Sequence, residues 1–75
     1  MPQASLNALL YCFQEQKAWL LQQAQEYESG ARKVSGRIGG KEVDISENIA
    51  AEYRHNAGNM QAIMDAYERL HAKEI

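Results

Sequence analysis

The sequence has a single cysteine, Cys12, among its 75 residues. A disulfide within the chain is therefore excluded, and this cysteine usage favours a reducing compartment over a small secreted scaffold. No basic segment stands at the N-terminus, where the first basic residue is Lys17, and the longest apolar run, residues 8–13, is far shorter than a membrane span. These absences predict a soluble, cytoplasmic protein with no membrane partner.

The sequence also lacks the residue patterns of common catalytic sites. Cys12 lies in an apolar run, where a thiol packs as a small hydrophobe in the core or at an interface. Two Glu-x-x-His pairs, Glu52/His55 and Glu68/His71, have the spacing of ligands in di-iron bundles. Three of these four residues fall at flank or solvent positions of the predicted heptad. We therefore predict no enzyme activity, no catalytic residues, no metal site and no cofactor.

The length allows one domain, residues 1–75. A chain this short buries only about 60% of the surface that its unfolded form exposes, so it is marginally stable alone. Folds of this size usually depend on a metal, disulfides or a partner, and the first two are not predicted here. The net charge of −2 gives no overall attraction to nucleic acid.

Helix-forming residues at helical spacing are abundant. Residues 3–29 repeat apolar side chains every three or four positions, which predicts one helix, and Gly30 suits the left-handed residue after its end. Residues 45–74 predict a second helix, with Asp44 and Glu47 as its capping box and Ser46 as a rival N-cap. Gly58 leaves open whether that helix is continuous or broken. The predicted apolar stripe of the second helix is Ile49, Tyr53, Asn56, Met60, Ile63, Tyr67 and Leu70.

The connector, residues 30–44, holds four of the five glycines. The pair Gly39-Gly40 stands between two alternating runs, which is a signal for a two-residue β-hairpin turn. A flexible loop is the alternative, because an isolated ribbon is only marginally stable. A ribbon would place four side chains on one face: Val34, Ile38, Val43 and Ile45.

These parts predict an all-α fold, an antiparallel two-helix hairpin with a glycine-rich connector. Each helix carries more apolar surface than one partner helix covers, which implies association. The simplest closed solution is a homodimer that forms a four-helix bundle, although a different protein would cover the same surface.

The predicted function is that of a small, non-enzymatic protein-interaction module. It would act through its helical surfaces as a regulator, adaptor, chaperone or inhibitor, with itself and another protein as partners. Large side chains beside the stripes are typical of interface hot spots. The predicted partner-binding residues are Tyr11, Trp19, Tyr53, Met60 and Tyr67.

The alternative is a nucleic-acid-binding regulator that uses the basic connector. Backbone amides of glycine-rich turns bind anions, and nearby cations would add to the attraction. The connector lacks a Walker A motif and has no interleaved aromatic residue, so this signal is weak. The residues concerned are Arg32, Lys33, Arg37 and Lys41.

Overall fold

The computed structural model describes residues 2–74. Two long helices, α1 (Gln3–Glu28) and α2 (Ser46–Glu74), are joined at one end by a ribbon of two strands, β1 (Ser35–Ile38) and β2 (Lys41–Asp44). The helices run antiparallel, since residues early in α1 contact residues late in α2. The Cα positions extend over 57 × 23 × 13 Å, so the hairpin is a single layer of helices. The predicted helical hairpin is confirmed, and its connector is a ribbon.

Glycine ends α1 where the sequence predicts it. Gly30 has a φ of +83°, the left-handed conformation that residues with a Cβ rarely adopt. The Ser29 amide donates to the Gln25 carbonyl at 2.9 Å, and the Arg32 amide donates to the Glu26 carbonyl at 3.1 Å. These bonds use carbonyls at the helix end that would otherwise lack a partner, so the chain turns away directly after α1.

The ribbon turns at the glycine pair. Gly39 and Gly40 have φ values of +59° and +80°, as a type I′ turn requires at both central residues. Ile38 pairs with Lys41 across the turn, and the Ile45 amide donates to the Val34 carbonyl at 2.9 Å. Because paired residues of antiparallel strands point to the same face, this register confirms the predicted apolar face of the ribbon: Val34, Ile38, Val43 and Ile45.

Two side chains fasten the ribbon to the start of α2. The Asp44 carboxylate accepts the Ser46 amide at 2.8 Å, which satisfies one of the free donors of the first turn. The buried Ser46 hydroxyl accepts the Val34 amide at 2.9 Å. The capping bond of Asp44 is confirmed, whereas the hydrogen bonds that the structure gives for residues 2–74 include none between Glu47 and Asp44, the other half of the predicted capping box. The bond from Val34 to Ser46 holds the ribbon against the helix.

The line of contact between the helices, which we call the seam, is built from small and medium side chains. In α1 the residues that repeat at helical spacing lie along it, as predicted: Leu6, Leu9, Leu10, Phe13, Lys17, Leu20, Ala24 and Tyr27. In α2 the seam follows different residues, because the positions that carry alanine allow the closest approach of the helices. Asn56 and Leu70, both in the predicted stripe, are exposed. The buried apolar residues are Leu6, Ala24, Ala50, Ala57 and Met64.

This core is thin. Among the described residues, no large side chain is fully buried. The chain exposes 5518 Å², whereas a compact monomer of 8.5 kDa exposes about 4,700 Å². Its Cα radius of gyration is 17.1 Å, against about 11 Å for a compact domain of this length. The hairpin therefore leaves more surface in water than a compact monomer of its size.

The second helix passes through Gly58 without a break. A Cβ placed on Gly58 would meet no other atom within 4 Å, so this glycine serves no close contact within the chain. We expect Gly58→Ala to raise the free energy of unfolding by about 1 kcal/mol, because alanine favours the helix. Chemical denaturation of both proteins at one concentration measures this gain. A loss of stability would show instead that another surface packs closely on Gly58.

Candidate interaction surface

The hairpin has two broad faces, one on each side of the seam, and they differ in chemistry. Successive helical residues are rotated by about 100°, which places most polar side chains of both helices on one side of the seam. Leu10 and Leu21 lie half-buried on this side, between the polar side chains and the seam. This side, the polar face, consists of Gln3, Asn7, Gln14, Lys17, Gln25 and Glu28 of α1 with Arg54, Gln61, Asp65 and Glu68 of α2.

Hydrogen bonds connect the side chains of the polar face to one another. Glu28 and Arg54 form two bonds of 2.6 Å each, which tie the C-terminal end of α1 to α2. Farther along, the Lys17 ammonium donates to the Gln61 side-chain oxygen at 2.7 Å. The Gln61 amide nitrogen in turn donates to Asp65 at 2.9 Å. These partners fix the register of the helices on this side.

The opposite side, the apolar face, carries aromatic and aliphatic side chains. Tyr53 is at its centre: the Tyr27 ring stacks on it at 5.9 Å, and the Trp19 ring meets it edge-on at 5.9 Å. Phe13 stacks with Tyr67 at 6.0 Å farther along the seam. We define the apolar face as Leu9, Cys12, Trp19, Leu20 and Tyr27 of α1 with Ile49, Tyr53, Ile63, Tyr67 and Leu70 of α2.

These apolar side chains are incompletely covered. Trp19 is 53% exposed and Leu70 is 57% exposed, while Ile49, Ile63 and Tyr67 are half-buried. The polar residues interspersed among them are mostly uncharged. The helices place two carboxylates on this side. One is Glu52, and the other is Glu26, seven residues after Trp19, which lies 3.1 Å from the Arg32 guanidinium. The uncharged polar members are Gln16, Gln23, Asn56 and Asn59.

The structure brings together four of the five predicted partner-binding residues. Tyr53, Met60 and Tyr67 lie half-buried along the apolar side of the seam, and Trp19 contacts Tyr53 directly. Tyr11 is separate from them. It is 66% exposed and lies on the outer edge of α1, turned away from α2, because its position is about 150° around the helix from the seam.

The predicted partner-binding residues do not include Cys12, Ile63 and Leu70, although Ile63 and Leu70 were assigned to the apolar stripe of the second helix. Cys12 was predicted to pack in the core or at an interface, and within the chain it is exposed. The available signal is a spacing of seven residues, which joins Cys12 to Trp19 and Ile63 to Leu70 on one side of each helix. On each helix, that spacing identifies a second line of apolar side chains beside the seam.

The basic residues of the connector do not form one surface. The Arg32 guanidinium turns back onto α1, where it lies 3.1 Å from the Glu26 carboxylate, donates to Gln23 at 2.6 Å and lies 5.9 Å from the centre of the Tyr27 ring. Arg37 and Lys41 occupy opposite faces of the ribbon, given its register. Nucleic-acid binding through Arg32, Lys33, Arg37 and Lys41 stays a prediction.

The tip of the ribbon offers a second, smaller apolar area. Ile38 is 62% exposed and Val43 is 41% exposed, whereas Val34 and Ile45 at the base are half-buried. The other side of the ribbon has a shallow cavity of about 230 Å³, lined by Ser35, Gly36, Arg37 and Glu42. Its lining includes one cation, Arg37, and one anion, Glu42.

The two Glu-x-x-His pairs do not converge. Glu52, His55 and Glu68 are exposed, and His71 is half-buried. Within residues 2–74, no group of three or more histidine, cysteine, aspartate or glutamate side chains is arranged to hold a metal ion. Neither helix, within the same residues, has the length and apolar character required to cross a membrane.

Local hydrogen bonds shift the pKa values of three side chains. The side-chain bonds from Arg54 lower the pKa of Glu28 below its usual 4.5, and the same pair raises the pKa of Arg54. Bonds from the side chain and the amide of Ser46 lower the pKa of Asp44 below its usual 3.8. Both carboxyl groups therefore favour the folded state when they are ionised.

We expect the stabilising effect of Asp44 to depend on pH. Since its folded pKa is depressed, its contribution is present above the unfolded value of 3.8 and decreases as pH falls through the folded pKa. The thermal midpoint of Asp44→Ala should therefore lie below that of the unaltered protein at pH 7. The difference should narrow at about pH 2. Paired melting curves at both pH values measure it, and an equal difference at both would contradict the capping role.

No protein-family model matches the chain, and neither does any curated protein or solved structure.

Proposed function

We propose that this chain is a non-enzymatic protein-interaction module of the cytoplasm, which self-associates as a homodimer into a four-helix bundle. In that form it acts through its helical surfaces as a regulator, adaptor, chaperone or inhibitor of another protein. The observation that carries the proposal is the apolar face, where Trp19 and Leu70 are more than half exposed beside a line of half-buried side chains.

The hairpin is only one layer of helices thick. A single layer of two helices covers each helix on one side only, so side chains beside the seam stay in contact with water. Complete burial of one large apolar side chain stabilises a protein by about 1.5–3 kcal/mol. A second layer would complete the burial of Leu9, Leu20, Ile49, Ile63 and Tyr67, all of which are half-buried now.

A homodimer supplies that second layer by the simplest route. Each copy contributes two helices, and four helices around one core form a closed bundle. A two-fold interface uses the same surface on both copies, so one apolar face is sufficient to build it.

Other exposed side chains would stay accessible for a different protein. Tyr11 on the outer edge of α1 and the tip of the ribbon at Ile38 and Val43 lie outside the apolar face. Exposed aromatic and aliphatic side chains of this kind are typical anchors of protein–protein contacts. They support a module that binds a second protein while it is dimeric.

The dependence of thermal stability on protein concentration tests the self-association. When folding is coupled to dimerisation, mass action raises the melting temperature with concentration. We expect the melting temperature to rise steadily over about a hundredfold range of concentration in the micromolar region. A melting temperature that is constant over that range would contradict the homodimer.

A further inference from the structure

We propose that the apolar face is the dimer interface, and that its occupant is the apolar face of a second copy of this chain. This inference rests on the proposed self-association and adds the surface through which it takes place. It places Cys12, Trp19, Ile63 and Leu70 in the contact and keeps the polar face and Tyr11 in water.

The first argument is the contrast between the two broad faces. On the polar face, Glu28 bonds Arg54 and Lys17 bonds Gln61, so these groups are already satisfied within the chain. Burying that face would remove charged groups from water. The free-energy cost of this desolvation exceeds the stabilisation from the hydrogen bonds that these groups already make. On the apolar face, the Trp19 and Leu70 side chains gain from the exclusion of water.

The apolar face also carries few formal charges. A two-fold interface brings each surface against its own copy, so a strongly charged face would repel itself. On the apolar face, Glu26 is paired with Arg32 at 3.1 Å, which leaves Glu52 as the carboxylate of residues 3–73 on this face for which the structure shows no ion pair. This face is therefore compatible with self-packing, whereas a partner chosen by charge complementarity would require more charged residues.

The apolar face is also large enough for a stable interface. The longer helix, α2, has 29 residues and is about 43 Å long. With the 23 Å width of the hairpin, the helical part of the face covers roughly 1,000 Å², and a stable interface buries about 800 Å² on each partner. A second copy has helices of the same two lengths, so it covers the apolar face from end to end.

Three single substitutions test the surface by sedimentation equilibrium. Trp19→Glu and Leu70→Glu introduce charge on the apolar face, and Tyr11→Glu is the matched control, since it changes an exposed aromatic residue outside that face. We expect the first two to raise the dimer dissociation constant at least about 100-fold, because both copies carry the charge. Tyr11→Glu should leave it within about threefold of the unaltered protein.

The outcomes separate this inference from the proposed function. A dimeric unaltered protein whose Trp19→Glu and Leu70→Glu variants dimerise as tightly would overturn the assigned interface and leave self-association intact. If Tyr11→Glu alone separates the two copies, the assigned interface is likewise overturned and self-association stays intact. A monomeric unaltered protein at about 100 µM would contradict both the interface and the proposed homodimer.

A second measurement needs no substitution and applies even where a variant fails to fold. Cys12 lies on the apolar face and is exposed in the single chain. In the dimer its thiol should be shielded, so we expect its reaction with a thiol reagent to slow at least about tenfold between dilute and concentrated protein. A rate that does not change with concentration, in a sample shown to be dimeric, would exclude Cys12 from the interface and overturn the inference.

Discussion

Replacing Met64 by alanine is expected to lower the free energy of unfolding by about 2–5 kcal/mol. Met64 is 5% exposed and is the largest side chain among the buried apolar residues of α2. Its truncation removes contacts across the seam and leaves a void that two long helices fill only in part. Because a domain is stabilised by about 5–15 kcal/mol in total, this loss would leave a small chain close to unfolding at room temperature.

The same substitution at Met60 is the matched control. Met60 lies one turn earlier in α2 and is half-buried, so truncation there should cost less than at Met64, because fewer contacts are lost and water already reaches the site. Denaturant titration of both variants, followed by helical circular dichroism, compares them directly. An equal or larger loss at Met60 would show that the seam is centred on the predicted heptad stripe after all.

Enlarging a buried alanine should be damaging for the opposite reason. Ala57 is 2% exposed in α2, and Ala24 of α1 is fully buried. A leucine at position 57 adds three carbon atoms to a side chain with almost no free surface, so neighbouring side chains and backbone must shift. We expect Ala57→Leu to lower the free energy of unfolding by about 1–3 kcal/mol.

An exposed alanine of the same helix provides the control for this enlargement. Ala62 points away from α1 and is exposed, so Ala62→Leu should change the free energy of unfolding by less than about 0.5 kcal/mol. Both variants are measured by the same denaturant titration. If Ala57→Leu were tolerated as well as Ala62→Leu, the close packing of the helices at Ala57 would be contradicted.

These two substitutions concern the part of the fold that sequence reasoning placed incorrectly. In α2, large apolar residues at heptad spacing predicted a stripe through Asn56 and Leu70, and the actual seam passes through Ala50 and Ala57. Hydrophobicity alone assigns alanine little weight. In a two-helix layer, however, the small residues lie where the helices approach most closely, and the bulky ones pack beside them.

Other parts of the fold were predictable because their signals are local. Gly30 ends α1 and the pair Gly39-Gly40 turns the ribbon, since all three adopt positive φ values that other residues avoid. Asp44 accepts the amide of a residue only two positions away. Each of these structures is decided by neighbours in the chain.

The candidate surface was only partly predictable, because it depends on how two distant segments meet. Trp19 and Tyr53 were both expected to bind a partner, and their contact makes them one site. Nothing in the spacing within α1 indicates that Lys17 bonds Gln61 of α2. The division into a polar and an apolar face follows from such long-range pairs, and it becomes visible only when the rotation of both helices is known.

The central claim is that the hairpin associates with a second copy of itself. Sedimentation equilibrium of the unaltered protein at micromolar concentration measures the mass in solution directly. We expect a species of twice the chain mass of 8.5 kDa that dissociates on dilution. A stably folded, helical monomer of 8.5 kDa at every concentration would contradict it.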